Sequence, residues 1–547
     1  MDDSSACGDA RTTSSSCVHS SSPTGTSTNV PRKESKWTVD GKATWKVVLL
    51  LAWPVLLQQF LVLAVNLSDA FLAGNYRAVS PIQEAQAHGY DSFAAIEMGT
   101  AAIPGQAVPG MFSSMVAVQQ ADKLMARQTA IQSAQTTAMY MAWFLNSMTV
   151  LITVGSTALV ARFIGAGKTD SAIRVTNQSV LLGIVFSILI TIVGLYGIDD
   201  FVRLLQLKGL SAQFAADYLR PMILLLVFQV ILVVGIACLV GAGDTRTGLW
   251  VMGSVAILNI PVSFLLCLGY GPVPRFGFVG ISMGTAYCNV IGGIAILILL
   301  ARGRSGLHLS WAYLIPNFDL LRRLLRISLP ASLDSLSLLA GQFWFLSIVN
   351  QLGDVASSAH GVAIRWEALG FLSGIAFGTA AATLVGQNLG AGKPQQAART
   401  GWTAFGIGCL VMTAMGILFF ALADPMFRLF FPHPWQHDSV IVGVPVLRLI
   451  AFAMPPLASA IIFVNALRGA GDTTFPLFFT WIGFLLVRIP LAYLFTKAEV
   501  DVWWLGTIPG FDLGLFGAWL AMCADLVLRG GLFMWRFAGG AWKKVEV

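Results

Sequence analysis

Of 547 residues, 56% are hydrophobic and 11% are charged, against roughly 25% charged in a soluble globular chain. A mean hydropathy of +0.73 over this length excludes an ordinary soluble enzyme, since soluble chains of this size keep a polar surface; much of this one must face lipid. The net charge of +7, from 34 Lys and Arg against 27 Asp and Glu, is not gathered into a basic face with interleaved aromatics. No nucleic-acid partner is expected, and the excess reads as membrane topology.

Residues 1–44 are expected to form a disordered cytoplasmic tail, rich in Ser and Thr and too poor in apolar residues to repay the entropy of ordering. They lack the apolar core of a secretory signal, so the first span is expected to direct insertion. Apolar stretches follow at 47–74, 137–160, 178–198, 219–240, 249–270, 279–300, 327–350, 360–385, 401–423, 443–467, 476–496 and 514–537. Each is near the roughly 20 residues that cross a bilayer, so the expected fold class is an all-α polytopic membrane protein with twelve transmembrane helices. Counted from a cytoplasmic N-terminus, cytoplasmic segments hold twenty Lys and Arg and the opposite loops hold nine. The positive-inside rule then places both termini in the cytoplasm; the inner, cell membrane is the expected location. No Cys pair has CxxC spacing and no His pair forms HExxH, so the seven cysteines read as packing residues, and no metal or organic cofactor is expected.

An internal repeat sets the architecture. LVARFIGAGKTDSAIR at 159–174 matches LVGQNLGAGKPQQAAR at 384–399, with Gly165 and Gly390 separated by 225; GAGDT at 241–245 returns at 469–473, 228 later; Pro261 of NIPVSFLL matches Pro490 of RIPLAYLF, 229 later. Six spans per half, an even number, give both halves one orientation. Two six-helix bundles are therefore expected, related by a pseudo-two-fold axis along the membrane normal, with a cleft between them. The N-terminal lobe takes 45–300, a cytoplasmic linker 301–326, and the C-terminal lobe 327–547 with a short tail. Pro54 and Pro330 lie 276 apart, 51 more than 225, which implies an insertion at about 77–130, expected as a cap or helical hairpin on the outer face rather than a span.

The short glycine motifs are not nucleotide sites. GAGKT at 165–169 ends like a phosphate loop, but Arg162 stands where that loop needs glycine, and Arg246 and Thr474 occupy the last glycine position of a dinucleotide fingerprint. Helix C-caps in tight loops explain them better. No span combines a nucleophile with a base, so an enzyme is not expected.

Together, the LVARFIGAGK and LVGQNLGAGK loops, both GAGDT turns and the ending RFAGGAW at 536–542 resemble the multidrug and toxic compound extrusion (MATE) family over residues 45–545. The resemblance implies twelve helices in two bundles and export of amphipathic, often cationic small molecules in antiport with protons or sodium. It also implies a functional monomer whose partners are its substrates and the bilayer. A lipid-linked saccharide flippase or a narrow-substrate exporter of the same architecture is the alternative, the flippase calling for a strongly basic cavity.

A carboxylate at membrane depth costs at least about 2.5 to 3.5 kcal/mol, so each one is a candidate functional position. Asp69, with Asn66 one turn earlier, resembles the family's first-helix acid. Asn259 resembles its fifth-helix asparagine, but four residues on, where an acid is expected, stands Ser263. That leaves a weaker cage for sodium and favours a protonation switch on Asp69. In the C-terminal lobe Asp334, one turn after Pro330, resembles a seventh-helix coupling acid, and Glu367 shares a helical face with Gly370, Gly374 and Gly378. Asp69, Asn259, Asp334 and Glu367 are thus the expected cation-coupling residues, and Asn66, Ser263 and Arg365 the expected cavity lining. Asp525 and Arg529, four apart, are expected to form a structural ion pair, with Arg488 neutralising an acid in the same lobe. Pro54, Pro261, Pro330 and Pro490 are expected to interrupt their helices, and aromatic and Met side chains to give the cleft an adaptable surface.

Overall fold

The computed structural model describes residues 43–75, 141–204, 210–269, 273–431, 436–502 and 506–545. The expected tail up to residue 42 and the expected insertion at 77–130 lie outside them. The first half contains α1 (Thr44–Asn75), α2 (described over Met141–Gly165), α3 (Thr169–Leu204), α4 (Leu210–Leu224), α5 (Leu226–Gly241), α6 (Thr245–Leu268) and α7 (Phe278–Ala301). The second contains α8 (Phe318–Asn350), α9 (Asp354–Gly390), α10 (Pro394–Phe430), α11 (His437–Ala470), α12 (Thr474–Trp481), a π-helical turn (Ile482–Arg488), α13 (Ile489–Thr496) and α14 (Gly514–Gly539). Among the described residues, with α12 to α13 taken as one span, eleven helices are long and apolar enough to cross a membrane, and α4 with α5, bent by 55°, makes a twelfth when counted as one span.

Helix ends follow local chemistry. Asp244 caps α6 by accepting from the Thr247 backbone N–H at 3.0 Å, and Asn317 caps α8 by accepting from that of Leu320 at 3.1 Å. Beyond α2 and α9, Gly167 and Gly392 take left-handed φ of 71° and 73°, and beyond α5 and α11, Gly243 and Gly471 both take 89°. A β-carbon would strain each of these turns, so the glycine motifs are helix terminators. The prolines behave differently from expectation: α1, α6 and α8 run on through Pro54, Pro261 and Pro330. Only Pro490 adjoins irregular backbone, the π-helical turn, while the sharpest break falls at Leu225, four residues after Pro221. A hairpin of β1 (Glu499–Val502) and β2 (Gly506–Pro509), antiparallel, joins α13 to α14 and was not expected from the sequence.

Two cores form, one per half, and the lobes exchange their first helical turns. Val48 and Leu51 of α1 pack in the C-terminal core, while Leu324 and Ile327 of α8 pack in the N-terminal one. Each pair is separated by the same 276 residues that relate Pro54 to Pro330, so the exchange obeys the repeat. Because lipid is as apolar as these side chains, helix association rests on close approach of small residues. In α9, Gly370 meets Met454, Gly374 meets Ile461, and Gly378 meets Asn465, all of α11. Helix α8 starts at Phe318, inside the expected linker 301–326. The linker is pinned to α3: Asn177 donates to the His308 carbonyl at 2.9 Å, and Gln178 donates to those of Tyr313 at 2.7 Å and Ile315 at 2.8 Å.

Candidate functional site

A cavity of about 250 Å³ lies between the lobes, walled by α1, α2, α5, α9 and α11. Its polar lining includes Gln58, Gln59, Thr153, Thr379, Asn465 and Arg468; the rest is mostly Val, Ile and Ala. The aromatic and Met side chains expected here do not line it among the described residues.

Beneath the cavity, on the face that carries the glycine loops, the lobes are sealed by a contact that repeats itself about the pseudo-axis. A β-carbon on Gly165 would collide with the Gln387 carbonyl, and one on Gly390 with the Arg162 carbonyl; Arg162 and Gln387 are separated by the same 225 residues as the glycines. Their side chains complete the seal. Gln387 donates to the Gly241 carbonyl at 2.9 Å and Arg162 to that of Ala470 at 3.3 Å, each satisfying an open carbonyl at the end of a helix in the other lobe. Thr383 adds a bond to the Val240 carbonyl at 3.2 Å, and Ser328 accepts from the Gly155 N–H at 2.9 Å.

Three helices of the N-terminal lobe build a polar relay. Asn259 of α6 donates to the Thr285 hydroxyl of α7 at 3.0 Å, which donates to Asp69 Oδ2 of α1 at 3.4 Å. Ser263 is within 3.4 Å of Asn259 Oδ1. Asp69 is 7% exposed, and its Oδ1 is buried without a hydrogen-bond partner. Asp69, Asn259 and Ser263 are therefore brought together; Asn66 is exposed on the same helix. Thr285, which joins Asn259 to Asp69, was not foreseen, because a single Thr in an apolar helix carries no signal.

The expected acids of the C-terminal lobe fall in two groups. Asp525 accepts from Arg529 with both oxygens, at 2.6 and 2.7 Å, and from Arg488 Nε at 2.8 Å. Arg488 also reaches Gln342 at 3.1 Å and lies within electrostatic range of Glu367. The expected Asp525–Arg529 pair and the neutralising Arg488 are thus one cluster. Asp334 stands apart, paired with Arg468 at 2.6 Å beside the cavity. Arg365 is exposed, stacked over Phe430. Asn66, Ser263 and Arg365 are not among the residues lining this cavity: Asn66 lies about two turns along α1 from Gln58 and Gln59, Arg365 about four turns before Thr379 on α9, and α6, which carries Ser263, contributes no lining residue.

The GAGDT aspartates tie each seal loop to the end of its own lobe. Asp244 receives Arg304 and Ser305, and Asp472 receives Arg536. Burial alone would raise the Asp244 carboxyl, but bonds from Ser305 and Thr247 and the Arg304 charge hold it below the usual carboxylate range. Burial raises Asp472 above that range despite Arg536. The signs are opposite: Asp244 contributes stability above its unfolded pKa that is lost on acidification, whereas Asp472 contributes most when protonated and loses it as pH rises. At neutral pH, Asp244→Asn lowers the melting midpoint and Asp472→Asn does not; equal shifts in a thermal scan would contradict this assignment.

Comparison with known proteins agrees with the geometry. The MatE family model matches residues 112–265 and 330–494. The chain is 28% identical over 410 residues to a probable multidrug resistance protein NorM of Thermotoga maritima, covering 74% of this chain and 84% of that one. It is 26% identical over 381 residues to the multidrug resistance protein MdtK of Yersinia pseudotuberculosis, covering 68% and 81%. A solved outward-facing multidrug resistance MATE family transporter of the MOP superfamily superposes with a TM-score of 0.74 at 19% identity, over 92% of this chain and 97% of that one. Twelve spans in two lobes, repeated glycine loops and a family match over both halves lead to one conclusion: the chain belongs to the MATE family of multi-pass membrane transporters.

Proposed function

We propose that this protein is a cation-coupled antiporter that exports amphipathic, often cationic small molecules by alternating access, works as a monomer in the cell membrane, and has its glycine-loop face and both termini in the cytoplasm. The observation that carries the reading is Asp69: a buried carboxylate with one unpartnered oxygen, at the end of a relay through Thr285 and Asn259. The names of the relatives, multidrug resistance proteins, support the substrate class. Few oxygens converge on Asp69, which favours a proton over sodium as the coupling ion. A proton and a cationic substrate would then compete for the one carboxylate, which is what antiport requires.

A flippase for diphosphate-linked sugars would need several cations in the cleft; among the described residues Arg468 alone is charged there. The test is ethidium accumulation in everted vesicles under an imposed pH or sodium gradient. Accumulation that needs the pH gradient and is lost in Asp69→Asn supports the reading. Loss only in Glu367→Gln or Asp334→Asn moves coupling to the C-terminal lobe, and failure to move any cationic dye overturns multidrug export.

A further inference from the structure

Laying one lobe on the other isolates what the cleft has that the repeat does not require. Gln58 corresponds to Asp334 at the 276-residue offset, and Ala237 and Val240 correspond to Asn465 and Arg468 at the 228-residue offset. The N-terminal wall is therefore apolar where the C-terminal wall carries an amide and a guanidinium, and Ala237, Val240, Asn465 and Arg468 all line the cavity. At these two positions the α5 wall presents apolar side chains and the α11 wall donors, while Gln58, Gln59, Thr153 and Thr157 keep the rest of the N-terminal wall partly polar.

The two kinds of arginine in this lobe differ in how they use their donors. Arg529 holds both oxygens of Asp525 and is buried to 8% exposure. Arg468 gives Asp334 one bond, Nη2 to Oδ2 at 2.6 Å; its Nε and Asp334 Oδ1 are both buried without a partner, so any donors it offers the cleft are on its two Nη groups. Arg468 is 14% exposed and Asp334 1%, so a molecule in the cleft meets the cation while the acid stays behind it. A guanidinium offers five N–H groups in a planar fork that matches a carboxylate.

We infer that Arg468 makes the central cleft a binding site for a carboxylate on an amphipathic substrate, so that of two molecules with the same apolar body the acid is taken in preference to its ester. The inference rests on the export reading for its role, but binding tests it separately. An amphipathic acid meets both positions: its carboxylate lies on Arg468 and its apolar body on Val240 and Ala237. One cation accommodates one acidic group, which sets this site apart from a phosphate-binding cavity.

The probes are rhodamine B, which carries a free carboxylate, and its ethyl ester, with binding to purified protein read by fluorescence anisotropy and transport read in proteoliposomes. The wild type is expected to bind the acid more tightly. Arg468→Gln should weaken acid binding by about tenfold to a hundredfold, the loss of one charge-assisted hydrogen bond, and leave the ester within about twofold. Arg468→Lys should restore part of the preference. Equal binding of the two dyes by the wild type, binding of neither, or an equal loss for both in Arg468→Gln would overturn the inference, the last because a structural ion pair affects every ligand alike. Preferential acid binding with no gradient-driven movement of either dye would uphold this site and contradict the antiport reading.

Discussion

Leucine at Gly165 or at Gly390 reduces transport to background while leaving the protein folded and in the membrane. Either side chain points at a backbone carbonyl of the opposite lobe, Gln387 or Arg162, and a carbonyl held inside a helix cannot swing aside as a flexible side chain does. Overpacking of this kind costs roughly 3 kcal/mol, enough to reduce the sealed population more than a hundredfold. Each lobe is packed without that contact, so the cost falls on the sealed state alone. The readout is ethidium transport, with labelling of a cysteine placed at Val240, which bonds across the seal through its carbonyl, to report opening. Gly406→Ala is the control: open space surrounds that position, so transport stays intact. Normal transport by Gly165→Leu would mean that the seal is not part of the cycle.

Asp525→Ala produces the largest loss of stability in the chain. Asp525 is fully buried between two guanidiniums, Arg488 and Arg529, which also stack over Phe484 at 4.2 and 4.8 Å. The α12–α13 span approaches closely enough for this only because residue 483 is glycine; a β-carbon there would strike Asp525 and Arg529. Removing the carboxylate leaves two buried cations facing each other, with Glu367 the remaining acid nearby. The expected cost is roughly 3 to 5 kcal/mol, the penalty for one partner of a buried pair taken alone. Arg529→Met in the same background recovers part of it, since the uncompensated charge then leaves with its partner. Tryptophan-fluorescence melting in detergent measures both, and an Asp525→Ala midpoint equal to the parent's would contradict a stabilising role for the cluster.

Much of this arrangement was legible in the residues. Apolar spacing located the spans because lipid demands a minimum length, and the repeat located the paired glycine loops, though as helix caps and not as a contact between the lobes. What stayed hidden depends on contacts between distant segments. Arg468 ends a span and counts as a loop cation until Asp334 is seen beside it. A signal did exist: the repeat sets Asp334 against Gln58 and Arg468 against Val240, two opposite charges appearing in only one copy. The exchange of α1 and α8 between the cores had no such mark, since Val48, Leu51, Leu324 and Ile327 are equally apolar wherever they pack. The proline expectation failed because neighbouring helices hold a membrane helix straight enough to run on through a missing hydrogen bond.

Coupling is reciprocal: if a proton gradient drives substrate through Asp69, a substrate gradient must drive protons the other way. The most direct measurement therefore uses proteoliposomes at equal pH inside and out, loaded with a pH-sensitive dye and given an ethidium gradient alone. Wild-type protein is expected to move protons against the ethidium flow, and Asp69→Asn to move none. Ethidium equilibrating through the wild type with no counter-movement of protons or sodium would contradict coupled antiport.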